Sequence, residues 1–240
     1  MEPIRYACGE TVLTGYLARP SHPWPAPGVL VAHQAIGVGV HARRRAEALA
    51  ALGYIAFALD LYGEEGFPRE QQGERHRALM ETPGLLLDRA LAGLDVLSSQ
   101  PGIDPARLGA IGFCQGGATV LELARAGAPI RCAIGFHPGY VRPVDSAEGS
   151  ISAKILMMSG ADDPLATPDR LAGFTAEMTA KRADWQLHLF GGVGHTFTDP
   201  DIDALGLPGF AWDPTADRRS WTLMRSLLED CFADDPGAAS

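Results

Sequence analysis

Short, almost wholly apolar runs recur along this chain, at 28–33 (GVLVAH), 54–59 (YIAFAL), 107–113 (RLGAIGF), 131–136 (RCAIGF), 154–159 (KILMMS) and 185–190 (WQLHLF). A strand with one wet face alternates apolar and polar residues, whereas a strand covered on both faces is apolar throughout. These runs therefore predict strands inside a covered sheet. Between them lie stretches with helical spacing at 41–52, 69–80, 85–97, 116–126, 168–181 and 215–232. Gly53 closes the first as a C-cap, and Pro83 stops the second. Strands alternating with helices predict an α/β fold, with a mostly parallel central sheet, helices on both faces and right-handed crossovers. Ahead of this pattern, 4–18 alternates loosely around Gly9-Glu10 and predicts an N-terminal β-hairpin. Pro20, Pro23, Pro25 and Pro27 predict an extended connection after it.

The chain has 240 residues, a length that fits one domain with a full hydrophobic core. We expect a single domain over 1–240, with its core at about 28–232 and a fraying tail at 233–240. Lys and Arg number 20 against 29 Asp and Glu, a net charge of −9. That balance leaves no electrostatic footprint for nucleic acid and repels an anionic membrane surface. Arg43-Arg44-Arg45 reads as a solvated helix face. No apolar run approaches the roughly 18 residues of a membrane span, and the first residues lack the basic and apolar regions of a signal peptide. Cys8, Cys114, Cys132 and Cys231 are scattered, with no C-x-x-C and no metal-finger spacing. A cytoplasmic, reducing location is the expectation, with Cys8, Cys132 and Cys231 as packing residues. The histidines show no metal-ligand spacing, so no metal is expected.

Ligand sites in parallel sheets lie at the carboxyl ends of the strands. The sharpest signal there is Gly112-Phe113-Cys114-Gln115-Gly116-Gly117, between a predicted strand and a predicted helix. Glycines two before and two after a central residue permit a tight strand-to-helix turn that lifts its side chain above the sheet. Cys114 occupies that nucleophile position, and the helix N-terminus beneath it favours negative charge on the sulfur. In sheets carrying such an elbow, an acid and then a histidine follow in the chain. Gly160-Ala161-Asp162-Asp163-Pro164 supplies the acid, with Asp163 preferred to Asp162, and Gly191-Gly192-Val193-Gly194-His195 supplies the histidine. His195 would take the thiol proton and Asp163 would hold its tautomer. The backbone N–H groups of Gln115 and Ala35 are the expected oxyanion donors. Gln34, Ile36, Tyr62, Phe113, His137 and Phe197 are the expected pocket residues, with His33 equally placed as pocket or structure. The segment 63–72 reads as a lid or as an ordinary surface loop.

With these pieces in place the chain resembles the dienelactone hydrolase family of α/β-hydrolases. The resemblance rests on Ala32-His33-Gln34-Ala35-Ile36-Gly37-Val38, Asp60-Leu61-Tyr62-Gly63, Ile111-Gly112-Phe113-Cys114-Gln115-Gly116-Gly117, Gly160-Ala161-Asp162-Asp163-Pro164 and Gly194-His195-Thr196-Phe197. It implies an α/β-hydrolase fold, a Cys-His-Asp triad, no cofactor, and hydrolysis of a small ester or lactone through a thioester. A monomer is the default it implies, with a dimer left open. Two positions depart from the family pattern. Gln34 stands where the family usually has a glutamate that helps ionise the thiol. Thr198-Asp199-Pro200-Asp201 stands where the family usually has an arginine for a substrate carboxylate. An aspartate there would repel an anion, so a neutral ester or lactone is the expected substrate. The residues alone also fit a small-ligand binding protein with an idle Cys114, or an acyl-thioesterase or peptide hydrolase.

Overall fold

A computed structural model of the chain describes residues 1–21 and 25–233. Pro23 of the expected proline connection and the tail from 234 onward lie outside the described residues. The hairpin forms from β1 (Glu2–Cys8) and β2 (Thr11–Ala18), turning at Gly9. The alternating part follows: β3 (Ala26–Ala32), α1 (Val40–Ala51), β4 (Ile55–Ala58), α2 (Gln72–Glu81), α3 (Leu85–Ser98), β5 (Ile103–Phe113) and α4 (Gln115–Arg125). Then come β6 (Cys132–Phe136), β7 (Lys154–Gly160), α5 (Pro168–Ala180), β8 (Trp185–Phe190) and α6 (Pro214–Phe232). A 3-10 turn at Arg69–Gln71 opens the second helical stretch, and another at Pro200–Leu205 lies between β8 and α6. Helix α6 starts where the chemistry favours it: Pro214 sits in its first turn and the Asp213 side chain accepts from the N–H groups of Thr215 and Ala216.

All eight strands form one sheet in the order β1-β2-β4-β3-β5-β6-β7-β8. From β4 to β8 every pairing is parallel, and the hairpin joins antiparallel through β2 and β4. Strand β5 starts earlier than its apolar run because Ala26 pairs with Ile103 while Gly28 pairs with Leu108. That irregularity accommodates Pro105, which cannot donate to a regular ladder.

Strand alternation explains the continuous apolar runs. In β3, Leu30 and Ala32 enter the core beneath α2, α3, α4 and α5, while Val29 and Val31 enter the core beneath α1 and α6. In β7, Ile155 and Met157 take the first face, and Leu156 and Met158 the second. Both faces are covered, so each residue of such a strand gains apolar burial. The chain leaves β3 toward β4 on one side and returns past it to β5 on the other. Such a reversal opens a crevice at the carboxyl ends of β3 and β5. Ala32 and Gly112 are register partners there, one step from the His33–Gln34 loop and two from Cys114. Among the described residues, no helix is long and apolar enough to cross a membrane.

Candidate active site

Cys114 links β5 to α4 with φ 52° and ψ −112°. A non-glycine residue there carries strain of order 1–3 kcal/mol and persists only where its surroundings enforce it. They do so through close packing. A Cβ on Gly112 would sit 1.9 Å from the Gly116 carbonyl oxygen, and one on Gly116 would sit 2.1 Å from that of Ala32. The Cys114 N–H donates to the Phe136 carbonyl at 3.0 Å, and its carbonyl accepts from Gly117 N–H at 3.0 Å. Helix α4 is buried along its whole length and directs its N-terminus at this turn.

His195 lies in the loop after β8. Its Nδ1 stands 2.7 Å from Asp163 Oδ2, and both side chains are wholly buried. The other carboxylate oxygen of Asp163 accepts from Leu165 N–H at 2.7 Å. Asp162 is exposed and points away from this pair's burial. Backbone bonds from His195 N–H to Gly209 O and from Ala211 N–H to His195 O fasten the loop to 209–211. Gly194 permits that approach, since a Cβ on it would lie 2.4 Å from the Gly209 oxygen. The far ring nitrogen, Nε2, is buried without a partner at strict hydrogen-bond geometry. Burial works against a charged ring, but the electrostatic pull of the nearby Cys114 sulfur and the bond to Asp163 outweigh it, and the His195 pKa is pushed up to about 9. A looser Nε2–sulfur contact is usual before a substrate tightens the pair.

Two backbone donors lie near the elbow, at Ala35 in the cleft wall and at Gln115 next to Cys114. Among the described residues, neither the N–H of Ala35 nor that of Gln115 has an acceptor. The Gln115 side chain is anchored away from the reaction centre: its Oε1 accepts from Tyr62 OH at 2.7 Å and lies 2.5 Å from His76 Nδ1 on α2. No cluster of three or more His, Cys, Asp or Glu able to hold a metal occurs among the described residues.

A strained cysteine, a buried His–Asp pair and free backbone donors at a sheet reversal suit acyl transfer, and comparison with known proteins assigns the family. The model of the dienelactone hydrolase family matches residues 13–232. The chain belongs to the dienelactone hydrolase family. It is therefore a hydrolase acting on ester bonds. It is 30% identical to the probable 2-oxo-3-(5-oxofuran-2-ylidene)propanoate lactonase of a Bradyrhizobium species, over 89% of this chain and 87% of that protein. Among solved structures it is similar to m3DLH, with 40% identity, a TM-score of 0.91, and coverage of 97% of this chain and 98% of that one. It is also similar to a dienelactone hydrolase-like promiscuous phosphotriesterase from metagenomic libraries, with 36% identity, a TM-score of 0.90, and coverage of 96% and 97%.

In this dienelactone hydrolase family member, a cleft of about 310 Å³ opens over Cys114. Gln34, Ala35 and Ile36 form one wall. Phe67, Arg69 and Gln72 form another, so the 63–72 segment covers one side of the cleft and runs into α2. It is tied down by ion pairs of Glu64 with Arg75 and of Glu65 with Arg43. Thr196 and the apolar side chains Ile202, Leu205, Leu207 and Phe210 complete the lining. These last residues, with Phe67 and Arg69, escaped the sequence reading, because loop residues carry no periodicity to mark them.

Four expected pocket residues are placed elsewhere. Phe113 is fully buried on the α1/α6 side of the sheet, stacked on Phe136 at 4.6 Å. Its position next to Cys114 misled, since neighbours on a strand face opposite ways. His137 and Phe197 are fully buried behind the His195 loop. Tyr62 lies beneath the cleft wall, its hydroxyl committed to Gln115 and its ring edge-on to Phe67. His33 is structural: its Nε2 accepts from Leu61 N–H at 3.1 Å, and burial keeps its pKa low. Asp60 likewise organises the Asp-Leu-Tyr-Gly turn by accepting from the N–H groups of Tyr62 and Gly63.

The two departures from the family pattern meet. Gln34 Nε2 donates to Asp199 Oδ2 at 3.2 Å, and both residues are buried. Asp199 also accepts from Asp201 N–H. The expectation that Asp199 faces the substrate is thus corrected: its carboxylate is engaged behind the wall, and Gln34 presents a neutral amide in front of it. Arg69, exposed at the mouth, is the charged side chain of the lining.

Proposed function

We propose that this chain hydrolyses a small, largely neutral ester or lactone by covalent catalysis at Cys114. The observation that carries this reading is a strained cysteine on a helix N-terminus whose charge acts on the buried, Asp163-bonded His195. His195 takes the thiol proton on Nε2, while Asp163 holds the opposite nitrogen and keeps the basic tautomer. The sulfur attacks the acyl carbon, and the N–H groups of Gln115 and Ala35 meet the charge that develops on oxygen. Collapse breaks the C–O bond, the imidazolium returns its proton to the departing alkoxide, and a thioester remains on Cys114. Water then gives a proton to His195 and attacks the thioester; the acid leaves and the sulfur is regenerated.

Substrate chemistry follows from the walls. Ile36, Leu205, Leu207 and Phe210 suit an apolar acyl or alkyl portion. The Bradyrhizobium relative is named as a lactonase, which favours a cyclic ester. The name of the metagenomic relative motivates a second reading, phosphotriester hydrolysis, with the same nucleophile and donors acting at phosphorus.

Initial rates on a short p-nitrophenyl ester, a neutral lactone, a carboxylated dienelactone, an acyl thioester and a phosphotriester test these readings. Cys114→Ala is expected to abolish turnover while the fold stays intact. Arg69→Ala should leave neutral esters within about twofold, as expected for an exposed residue off the reacting atoms. Undiminished hydrolysis by Cys114→Ala would refute the covalent route. A strong preference for the carboxylated lactone that Arg69→Ala removes would replace the neutral substrate with an acidic one.

A further inference from the structure

His137 stands directly behind the catalytic pair. It follows β6, is wholly buried, and sits at φ 41°, a left-handed conformation that a non-glycine residue adopts only under constraint. Its N–H donates to the Met158 carbonyl at 2.7 Å, so the ends of β6 and β7 fix its backbone. Its ring meets that of His195 at 5.0 Å between centroids, inclined by 71°, and that of Phe197 at 5.1 Å and 81°. Its Nε2 lies 2.8 Å from Thr198 Oγ1. Besides a more distant Phe113 at 6.2 Å, these ring contacts fall on 195–198, the stretch that carries the proposed base and is itself strained at Thr196, φ 61°.

One hydrogen bond, donated by Nδ1 to Asp163, fixes only one end of the His195 ring. The ring can still swing about that bond and carry Nε2 away from Cys114. Both His137, at 5.0 Å, and Phe210, at 4.9 Å, pack edge-on against the His195 ring and restrict that swing. A phenyl ring would fill the space at 137 equally well. An imidazole there adds the bond to Thr198, whose carbonyl is held in turn by Arg45 and His41 of α1. A buried polar ring is costly without such a bond. The titratable and charged groups facing His137 are His195, His41 and Arg45; burial first, then the cost of a further positive charge beside them, holds its pKa well below the usual histidine value, and His41 is itself kept neutral by burial. It therefore sets no second cation against the His195 imidazolium.

We propose that His137 is a positioning residue for His195: its ring and its bond to Thr198 hold the 195–198 loop so that Nε2 stays on Cys114. This rests on the reading of Cys114, His195 and Asp163 given above.

The test compares His137→Phe, Thr198→Val and the double variant by p-nitrophenyl acetate hydrolysis. Alkylation of Cys114 by iodoacetamide, followed on its peptide, gives a readout that needs no ester. Each single change is expected to lower kcat about tenfold, within the cost of misplacing a reacting group, with KM within about twofold. The double variant should be no slower than Thr198→Val alone, because both changes remove the His137–Thr198 bond and only Thr198→Val also removes the longer contact of Thr198 Oγ1 with His41 Nε2 at 3.3 Å. Alkylation near neutral pH should slow by a similar factor. If His137→Phe does not fold, as judged by circular dichroism, Thr198→Val carries the test alone. Folded variants with wild-type kcat, or losses that multiply in the double variant, would overturn the proposal. Equal rates for wild type and Cys114→Ala would remove the triad reading and this proposal with it. An inactive Cys114→Ala beside a fully active Thr198→Val would remove this proposal alone.

Discussion

The elbow and the cleft wall lie against each other and are built by opposite means. At the elbow, 112–117 is fixed by backbone packed on backbone, with carbonyl oxygens where side chains would otherwise be. The wall is assembled from side chains on loops far apart in the chain, at 34–36, 67–72 and 196–210. Backbone contacts tolerate no substitution, so the elbow's sequence is nearly dictated. Side chains on loops can be exchanged for others of similar size, so the wall is where substrate preference can vary on a constant machine.

This contrast predicts its largest effect at the glycines. Gly116→Ala must displace the Ala32 carbonyl, since its Cβ would fall 2.1 Å from that oxygen. We expect a loss of about 3 kcal/mol or more, read as a fall in Tm of roughly 10 °C. An unchanged melting curve would show that the elbow is more compliant than its packing implies.

The next effect separates two adjacent carboxylates. Asp163→Asn removes the acceptor that fixes the His195 tautomer and should lower kcat about a thousandfold, by analogy with other triads. Asp162→Asn, on an exposed residue, should stay within about twofold. Equal losses at both positions would contradict the geometry.

A smaller effect concerns charge. The His195 pKa is raised to about 9 against the pull of burial, chiefly by the nearby Cys114 sulfur and by bonding to Asp163. The protonated ring is therefore favoured in the folded state. Its contribution to stability is complete below about pH 6.5, the unfolded value, and is lost as pH rises through about 9. An NMR titration should place the His195 midpoint near 9 in the wild type, and lower in Cys114→Ala. A midpoint that Cys114→Ala leaves in place would mean that the sulfur is not the partner.

The mildest change is at the wall. Leu205→Ser on the half-exposed rim should raise KM for an apolar ester about three- to fivefold and leave kcat almost unchanged, the value of partial apolar burial. A large loss of kcat would show that the rim shapes the reaction and not only binding.

The same contrast explains what could be read from the sequence. The parallel sheet was legible because covered strands write continuous apolar runs, and β3 and β7 feed both cores. The turns that carry Cys114 and His195 were legible because tight turns demand glycine at fixed spacing. The choice between Asp162 and Asp163 turned on which neighbour is buried, and spacing alone does not decide that. Phe113 and Phe197 neighbour Cys114 and His195 in the chain but are fully buried, because proximity in the chain says nothing of the side a residue faces. Gln34 and Asp199 each stood out as departures from the family pattern. Their pairing across 165 residues is a tertiary fact with no local signature.

The central claim is that Cys114 carries the acyl group. The most direct measurement is mass spectrometry of the Cys114 peptide after acid quenching of the enzyme during turnover of a p-nitrophenyl ester. The account predicts an acyl thioester on that peptide, removed by hydroxylamine and missing from Cys114→Ala. Steady turnover with an unmodified Cys114 peptide, or with the acyl group on another residue, would contradict it.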